Sequence, residues 1–305
     1  AYARPLDLTE SLTVKARTLN AGEWSALTEA SFIVGTPADS TNLIVSELNY
    51  HPPFGQEGRE FIELLNISNE TIDLVGASFS EGIDFTFPQN TTLPAGGRIM
   101  IVDDPASFSP AEQANIVGVF QNDTGLANGG ERIALVDYLG AIIFDFSYFD
   151  DNAWSAFPDG DGPSLTLIDP SSSLDLSSPS SWRPSALPGG TPGGSDSSIF
   201  AGDPHADDNK NGVSNLVEYA IGDRLVTGFI TEGEETFPTL DFDRNLGADD
   251  VIVTIESSSD LITWNEVTIS NSTAYNSDGT VTVSVRSNES QATPHQFLRV
   301  RVVER

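Results

Sequence analysis

The feature that most constrains the fold is a rapid alternation of short strand-like runs and turn signals. These runs are rich in β-branched and aromatic residues and are separated by Gly, Pro, Asn and Asp about every 8–12 residues, which is typical of a β-sandwich. The predicted strands are Leu43–Tyr50, Glu60–Ile67, Ile72–Ala77, Ile83–Phe87, Arg98–Val102, Ile116–Phe120, Arg132–Tyr138, Ala141–Tyr148 and Ser164–Ile168. Arg98–Val102 is apolar on both faces, as expected of a central strand, whereas Glu63 predicts that its own strand has one face in water.

Several motifs in this stretch resemble, in order, those of bacterial lamin-tail domains. They are Val45–Tyr50, Glu60–Leu64 with Asn66, Ile72–Gly76, Leu93–Arg98, Leu126–Glu131 with Ile133–Leu135, Pro158–Leu165, Ser181–Ser185 and Gly189–Gly193. The resemblance covers about residues 42–195 and implies an immunoglobulin-like sandwich that acts as an accessory or interaction module. The nuclear members of this family adjoin a long coiled coil. This chain has no heptad repeat, so a filament role does not carry over.

The N-terminal residues 1–36 predict a single β-hairpin, with strands at Ser11–Leu19 and Ala30–Val34. Two strands alone are marginal in water, so the hairpin either packs on the strands after it or ends a larger domain. Val14–Arg17, Trp24 and Ala30–Phe32 resemble the last strands of fibronectin-III-like or chitobiase-C-terminal-like modules. That resemblance implies a truncated module.

A calcium loop is predicted at residues 207–218. The stretch has aspartate at its first position, asparagine at the third and fifth, glycine at the sixth and glutamate at the twelfth, which is the spacing of an EF-hand loop. The predicted ligands are Asp207, Asn209, Asn211, the Val213 carbonyl, Asn215 and Glu218. With only two carboxylates among them, we expect Ca²⁺ to bind at the weak, extracellular end of the affinity range, about 10⁻⁴–10⁻³ M.

The loop is predicted to be a half site. Gly202 and Pro204 occupy the place of the helix that enters a full EF-hand, while a short helix ending at Gly222 follows the loop. This arrangement resembles the loops of dockerins and thrombospondin-type-3-like repeats. Further candidate metal ligands are Asp203 and Asp208 next to the loop, and Asp159 and Asp161 elsewhere.

The C-terminal part predicts a second, smaller β domain. Its predicted strands are Phe237–Phe242, Val251–Glu256, Glu266–Ile269, Thr280–Arg286 and Gln296–Val303. Val251–Leu261 before Trp264, Gln296–Val300 and Asn211–Tyr219 resemble C-terminal modules of large secreted bacterial proteins. The expected fold is mostly β: an immunoglobulin-like sandwich and a smaller β domain, joined by a calcium loop with one short helix. The predicted domains are the hairpin 1–36, the sandwich 42–195, the linker with the calcium loop 196–224, and the C-terminal β domain 225–305.

The chain is strongly acidic and contains no cysteine. Its 305 residues hold 45 acidic and 14 basic side chains, for a formal net charge of −31. Such a surface repels nucleic-acid phosphates, and no apolar run is long enough to enter a membrane. We expect an extracellular or cell-surface bacterial protein, in salty or calcium-rich surroundings, that forms part of a larger polypeptide and has a protein or surface glycan as its partner.

No catalytic motif is recognisable. The histidines, His51, His205 and His295, lie in no triad pattern, and paired aspartates are expected to occupy solvated turns. These pairs are Asp103/Asp104, Asp150/Asp151, Asp159/Asp161, Asp241/Asp243 and Asp249/Asp250. The leading hypothesis is a non-catalytic module with a structural Ca²⁺ between two β domains. The alternatives are the accessory part of a secreted enzyme, kinase-like or hydrolytic, and a carbohydrate-binding module that uses Trp24, Trp154, Trp182 and Trp264.

Overall fold

β strands are the main regular secondary structure of the protein, which divides into two compact units. The structure is a computed structural model that describes residues 5, 7–170, 174–222, 224–267, 270–290 and 296–305. The first unit comprises the chain up to Pro184 together with Gly189–Ser195, and the second comprises Ser185–Pro188 and Asp196–Arg305. The bounds of the four domains predicted from the sequence stay predictions.

The first unit contains sixteen short strands and one short helix within its described residues. They are β1 (Leu12–Ala16), β2 (Leu19–Asn20), β3 (Glu23–Trp24), β4 (Thr28–Phe32), β5 (Thr36–Pro37), β6 (Leu43–Asn49), β7 (Phe61–Asn66), β8 (Ile72–Asp73), β9 (Ser78–Glu81), β10 (Thr92–Leu93), β11 (Arg98–Val102), α1 (Pro110–Gln113), β12 (Ile116–Val119), β13 (Gly130–Val136), β14 (Ile142–Phe149), β15 (Pro163–Leu167) and β16 (Trp182–Pro188). The last strand, β16, extends into the second unit.

Two sheets of the first unit enclose one hydrophobic core. The larger sheet has the order β12-β11-β7-β6-β15-β16, and the smaller has the order β14-β13-β9. Leu48 and Ile62 of the larger sheet and Leu135 and Phe146 of the smaller one belong to the same buried cluster. The predicted immunoglobulin-like sandwich is therefore confirmed. The strand β11 has the bounds predicted for it and lies inside the larger sheet.

The prediction that Glu63 faces water is wrong. Its side chain is 0% exposed and accepts hydrogen bonds from Ser46 Oγ at 2.5 Å, Arg98 Nη1 at 2.6 Å and the backbone N–H of Gly193 at 2.7 Å. A buried carboxylate is tolerated only when it is paired and hydrogen-bonded, and these three partners meet that condition. The alternation of polar and apolar residues in Phe61–Leu65 could not reveal this burial, because the hydrogen-bond partners of Glu63 come from other parts of the chain.

A second buried carboxylate holds the same segment of chain. Glu47 accepts hydrogen bonds from Ser164 Oγ and, at 3.0 Å, from the backbone N–H of Thr191. Glu47 and Glu63 therefore fasten residues 189–195 onto the larger sheet. A Cβ atom at Gly190 would overlap Oε1 of Glu47, so glycine is required there.

The predicted N-terminal hairpin forms with different strand bounds: β1 and β4 are antiparallel from Leu12 opposite Phe32 to Ala16 opposite Thr28, and the short strands β2 and β3 pair between them. Ile83–Phe87 is not a regular strand, because Asp84 and Thr86 make only isolated bridges. Trp182 anchors the start of β16 in the core, where its buried ring stacks on Phe146 with centroids 5.7 Å apart.

The second unit pairs a four-stranded sheet with a three-stranded one. Its elements are α2 (Asn215–Ile221), β17 (Leu225–Glu232), β18 (Glu235–Asn245), β19 (Val251–Ser258), β20 (Asn265–Glu266), β21 (Ser270–Tyr275), β22 (Thr280–Arg286) and β23 (Phe297–Glu304). The sheet orders are β17-β18-β22-β21 and β20-β19-β23. Leu240 and Phe242 of one sheet share a core with Val251 and Ile255 of the other. The strands β17 and β21 are not anticipated by the sequence pattern, and residues 268–269 of the predicted strand Glu266–Ile269 lie outside the described residues.

Not every aspartate pair is a solvated turn. Asp249 is buried and accepts a hydrogen bond from Ser197 Oγ at 2.5 Å, while Asp250 accepts one from the Phe200 N–H at 2.6 Å. The expectation of solvent exposure is wrong for Asp249. These two carboxylates fix the first residues of the second unit, which precede the predicted calcium loop.

Candidate functional site: the loop at residues 207–218

The predicted calcium loop lies in the second unit and curls tightly about Asn211. Lys210 and Gly212 on either side of it have φ angles of +61° and +89°, in the left-handed region. Gly212 adopts such an angle without steric cost, as expected for the sixth position of the loop. The curl is reinforced by Asp207, whose two carboxylate oxygens accept the N–H groups of Asn211 at 3.1 Å and Gly212 at 2.9 Å.

Four of the predicted ligands come together. The amide nitrogens of Asn209 and Asn211 each donate to Oε1 of Glu218 at 2.6 Å, and Oδ1 of Asn209 accepts the Asn211 N–H at 3.1 Å. Asp207 joins this group through its bond to the Asn211 N–H. The first, third, fifth and twelfth positions therefore converge, although Asn209 and Glu218 are nine positions apart in the sequence.

The remaining predicted positions have other contacts. The N–H of Val213 donates to Oδ1 of Asn211 at 2.8 Å, which keeps Val213 beside the cluster. Asn215 is instead bonded to Asp208, through its amide nitrogen at 3.0 Å and through its Oδ1 to the Asp208 N–H at 3.2 Å. Asp203 accepts the His205 N–H at 2.9 Å in a local turn. The metal-binding roles of these residues stay predictions.

The stretch directly before the loop, residues 196–206, contains no helix. Residues 196–214 are all described and form turns and extended backbone, so α2 is the helix that follows the loop and no counterpart precedes it. The lack of an entering helix agrees with the prediction from Gly202 and Pro204, while metal binding by the loop stays a prediction. Backbone support comes from the Asn215 N–H, which donates to the Ala206 carbonyl at 2.7 Å and closes the base of the loop.

Helix α2 fixes the loop to the second unit. Leu216, Ala220 and Ile221 are buried in the core of that unit, and the helix packs against β18 and β23, one strand from each sheet. The helix ends at Gly222, which has a φ angle of +60° and donates its N–H to the Glu218 carbonyl at 2.7 Å. The side chain of Glu218 is therefore carried on a turn that the hydrophobic core holds in place.

The chemistry of the converging groups suits a hard cation. The predicted ligands carry carboxylate, amide and backbone carbonyl oxygens, which are the atoms that Ca²⁺ prefers. In the structure, Asn209 and Asn211 direct their amide nitrogens at Glu218. Among the described residues, no group of three or more His, Cys, Asp or Glu side chains is arranged to hold a metal ion. Only Asp207 and Glu218 of the predicted set belong to those residue types, and the others are amides and a backbone carbonyl.

The other predicted metal residues, Asp159 and Asp161, lie in the first unit and do not act together. Asp159 is bonded to Nδ1 of His51 at 2.5 Å, while Asp161 is exposed. The bond joins residues 108 positions apart, and the sequence contains no signal for it. Nearby, burial raises the pKa of Glu60, and the half-buried carboxylate accepts the Leu126 N–H at 3.0 Å.

The tryptophans form no shared surface for a sugar. Trp154 and Trp182 are buried in the core of the sandwich, and the guanidinium of Arg299 covers the ring of Trp264 at 3.9 Å. Trp24 is 57% exposed, with Arg17 stacked on its ring at 4.9 Å. Buried rings cannot stack on a ligand, so Trp24 is the candidate of the four with an open face.

No helix among the described residues has the length and apolar character needed to cross a membrane.

The fold and the sequence together define the class of the first unit. Two sheets around one core make it an immunoglobulin-like sandwich. Residues 36–150 match the family model of the Lamin Tail Domain. The match supports the predicted resemblance up to residue 150, while the motifs from Pro158 onward lie outside it. Lamin tail domains are typically non-catalytic interaction or structural modules. No curated protein matches the chain significantly.

Proposed function

We propose that the protein is a non-catalytic extracellular or cell-surface module in which Ca²⁺ fastens the loop 207–218 to the second β unit. Its partner is a protein or a surface glycan. The observation that carries the proposal is the convergence of Asp207, Asn209, Asn211 and Glu218 on one point, at the spacing of a calcium loop.

The electrostatics of the loop favour a bound cation. Asp207 and Glu218 are both negatively charged at neutral pH, and the chain as a whole carries a charge of −31. A divalent cation at their meeting point offsets this repulsion, and the oxygens of Asn209, Asn211, Val213 and Asn215 provide neutral ligands. Glu218 stands on α2, so binding restrains the helix as well as the loop.

The weak affinity expected of this ligand set supports a role outside the cell. A site with two carboxylates and a dissociation constant of about 10⁻⁴–10⁻³ M fills in calcium-rich extracellular surroundings. At a calcium concentration about 100-fold above Kd, binding stabilises the folded state by roughly 2.7 kcal/mol. The cation would therefore serve stability and rigidity.

A thermal melt tests the proposal. The full chain, stripped of metal with a chelator, is melted with and without added Ca²⁺, and hydrogen exchange is followed over residues 207–222 in parallel. We expect Ca²⁺ to raise Tm by several degrees and to slow exchange in that segment. A Tm that does not change with Ca²⁺ contradicts the proposal.

Two variants locate the effect. Asp207→Ala removes a charged ligand and should abolish the Ca²⁺-dependent rise in Tm. Asp159→Ala, in the first unit, serves as the matched control and should keep that rise. Loss of the rise in Asp159→Ala alone would assign the cation to the other predicted position.

A further inference from the structure

Strand β17 is a long edge of the second unit with one side free. All eight of its residues pair with β18, from Leu225 opposite Phe242 to Glu232 opposite Glu235. Among the described residues, no strand lies beyond it in the sheet order β17-β18-β22-β21. A free edge presents unpaired N–H and C=O groups, which pair readily with another strand.

The edge is also unusually apolar. Leu225, Val226 and Phe229 are 49%, 46% and 66% exposed. Leu225 lies opposite the buried Phe242, and its face of the sheet is the one that carries the core. Phe229 lies on the same face as Leu225 and Val226 on the other, so apolar side chains are exposed on both faces of the edge. An exposed, long, apolar edge of this kind marks a site of strand addition.

The charges on β17 fit a second copy of the same strand. Residues 225–231 carry no ionisable side chain in a chain whose net charge is −31. Arg224 precedes the strand and Glu232 ends it, and both side chains are about half exposed. An antiparallel pair of copies with its twofold axis at Gly228 brings Arg224 opposite the partner's Glu232 at both ends.

We propose that the protein forms a homodimer through antiparallel pairing of its β17 edges, centred on Gly228. Each four-stranded sheet then becomes half of a continuous eight-stranded sheet. Val226 lies opposite the partner's Ile230, and Phe229 lies opposite the partner's Thr227. Such pairs of aromatic and β-branched side chains favour strand pairing. The interface is self-complementary, as a twofold dimer requires.

Analytical ultracentrifugation of the full chain at about 0.15 M salt, where repulsion between the acidic surfaces is screened, tests the proposal. We expect a monomer–dimer equilibrium in the wild type. Val226→Lys and Phe229→Lys each place a charge on the edge and should abolish the dimer. Ile262→Lys, at a site 84% exposed in a turn of the same unit, is the matched control and should dimerise normally.

A charge swap tests the register. Glu232→Arg places arginine opposite arginine at both ends of the interface and should raise the Kd of the dimer at least about 10-fold. The double variant Arg224→Glu/Glu232→Arg restores opposite charges and should restore dimerisation. Circular dichroism checks that each variant is folded, because Glu232 also contacts Arg286 and Arg224 contacts Asp243. A monomeric wild type, a dimer that survives both lysine variants, or a double variant no tighter than Glu232→Arg overturns the proposal.

Discussion

The hydroxyl of Tyr219 donates a hydrogen bond of 2.7 Å to Oδ1 of Asp250, and this bond connects α2, the helix after the predicted calcium loop, to the start of β19. The other oxygen of Asp250 accepts the Phe200 N–H at 2.6 Å. Burial, together with the nearby carboxylate of Asp250, raises the pKa of Tyr219 to about 12. One carboxylate therefore holds both the segment before the loop and the helix after it.

Replacement of Tyr219 by phenylalanine should loosen this connection. The variant keeps the ring that packs on Phe200 at 5.4 Å but leaves Asp250 without one of its donors. A hydrogen bond to a charged group contributes about 1.5–3 kcal/mol, and the half-buried position of Tyr219 suggests the lower end of that range. Urea denaturation measures the loss, and hydrogen exchange should quicken in residues 215–221. Unchanged exchange there would show that the hydrophobic face of α2 holds the helix unaided.

The strands were the most predictable part of the fold. Arg98–Val102 and Thr280–Arg286 have the predicted bounds, because apolar and β-branched residues dominate both runs and polar turns flank them. The edge strand β17 was missed. Its Gly228 and alternating threonines weaken the pattern, and its pairing with β18 is what makes it a strand.

The curl of residues 207–218 was predictable because the residues that converge in it lie within twelve consecutive positions. Calcium binding by this loop stays a prediction. Contacts between residues that lie far apart in the sequence were not predictable. Glu63 is bonded to Gly193, 130 positions away, and His51 to Asp159, 108 positions away. Local periodicity describes which face of a strand a residue occupies, but it does not show which segment later covers that face.

The buried carboxylate of Glu63 should make stability depend on pH in an unusual direction. Burial raises the pKa of Glu63 in the folded protein, and the ion pair with Arg98 offsets this only in part. Relative to the unfolded chain, the fold therefore shifts Glu63 towards its neutral form. The contribution of protonated Glu63 to the stability of the fold is fully present below its unfolded pKa of about 4.3. This contribution is lost as pH rises through the higher folded pKa.

Glu63→Gln removes this titration, since glutamine resembles the neutral acid. As pH rises above about 4.3, the wild type should lose unfolding free energy relative to the variant, because only the wild type has Glu63 to deprotonate. Denaturation at a series of pH values measures it. The control is Glu81→Gln, which alters an exposed pair with Arg132 and should change stability by less than about 1 kcal/mol. A difference that stays constant with pH would show that Glu63 titrates normally in the fold.

Trp182 should be among the most costly side chains to remove. It is buried against Phe146 and donates its indole N–H to the Leu176 carbonyl at 2.8 Å. Trp182→Ala should lower the unfolding free energy by about 3–5 kcal/mol through the cavity it leaves. Trp24→Ala, at an exposed ring, should cost about 0.5 kcal/mol or less. Chemical denaturation measures the unfolding free energy of both variants. An equal decrease in the two would contradict an anchoring role for Trp182.

Two glycine-to-alanine variants distinguish steric overlap from backbone strain in residues 189–195, the segment that Glu47 holds on the sheet. Gly190 and Gly96 have similar φ angles of +78° and +67°, so alanine at either position incurs the left-handed penalty of about 1–2 kcal/mol. A Cβ at Gly190 would also overlap Oε1 of Glu47, whereas at Gly96 it meets no atom within 4 Å. Gly190→Ala should therefore destabilise the protein by more than Gly96→Ala, because it displaces a buried carboxylate from its hydrogen bonds to Ser164 and Thr191. Equal losses in the two variants would mean that residues 189–195 can move away from the sheet at little cost, and that Glu47 does not hold them there.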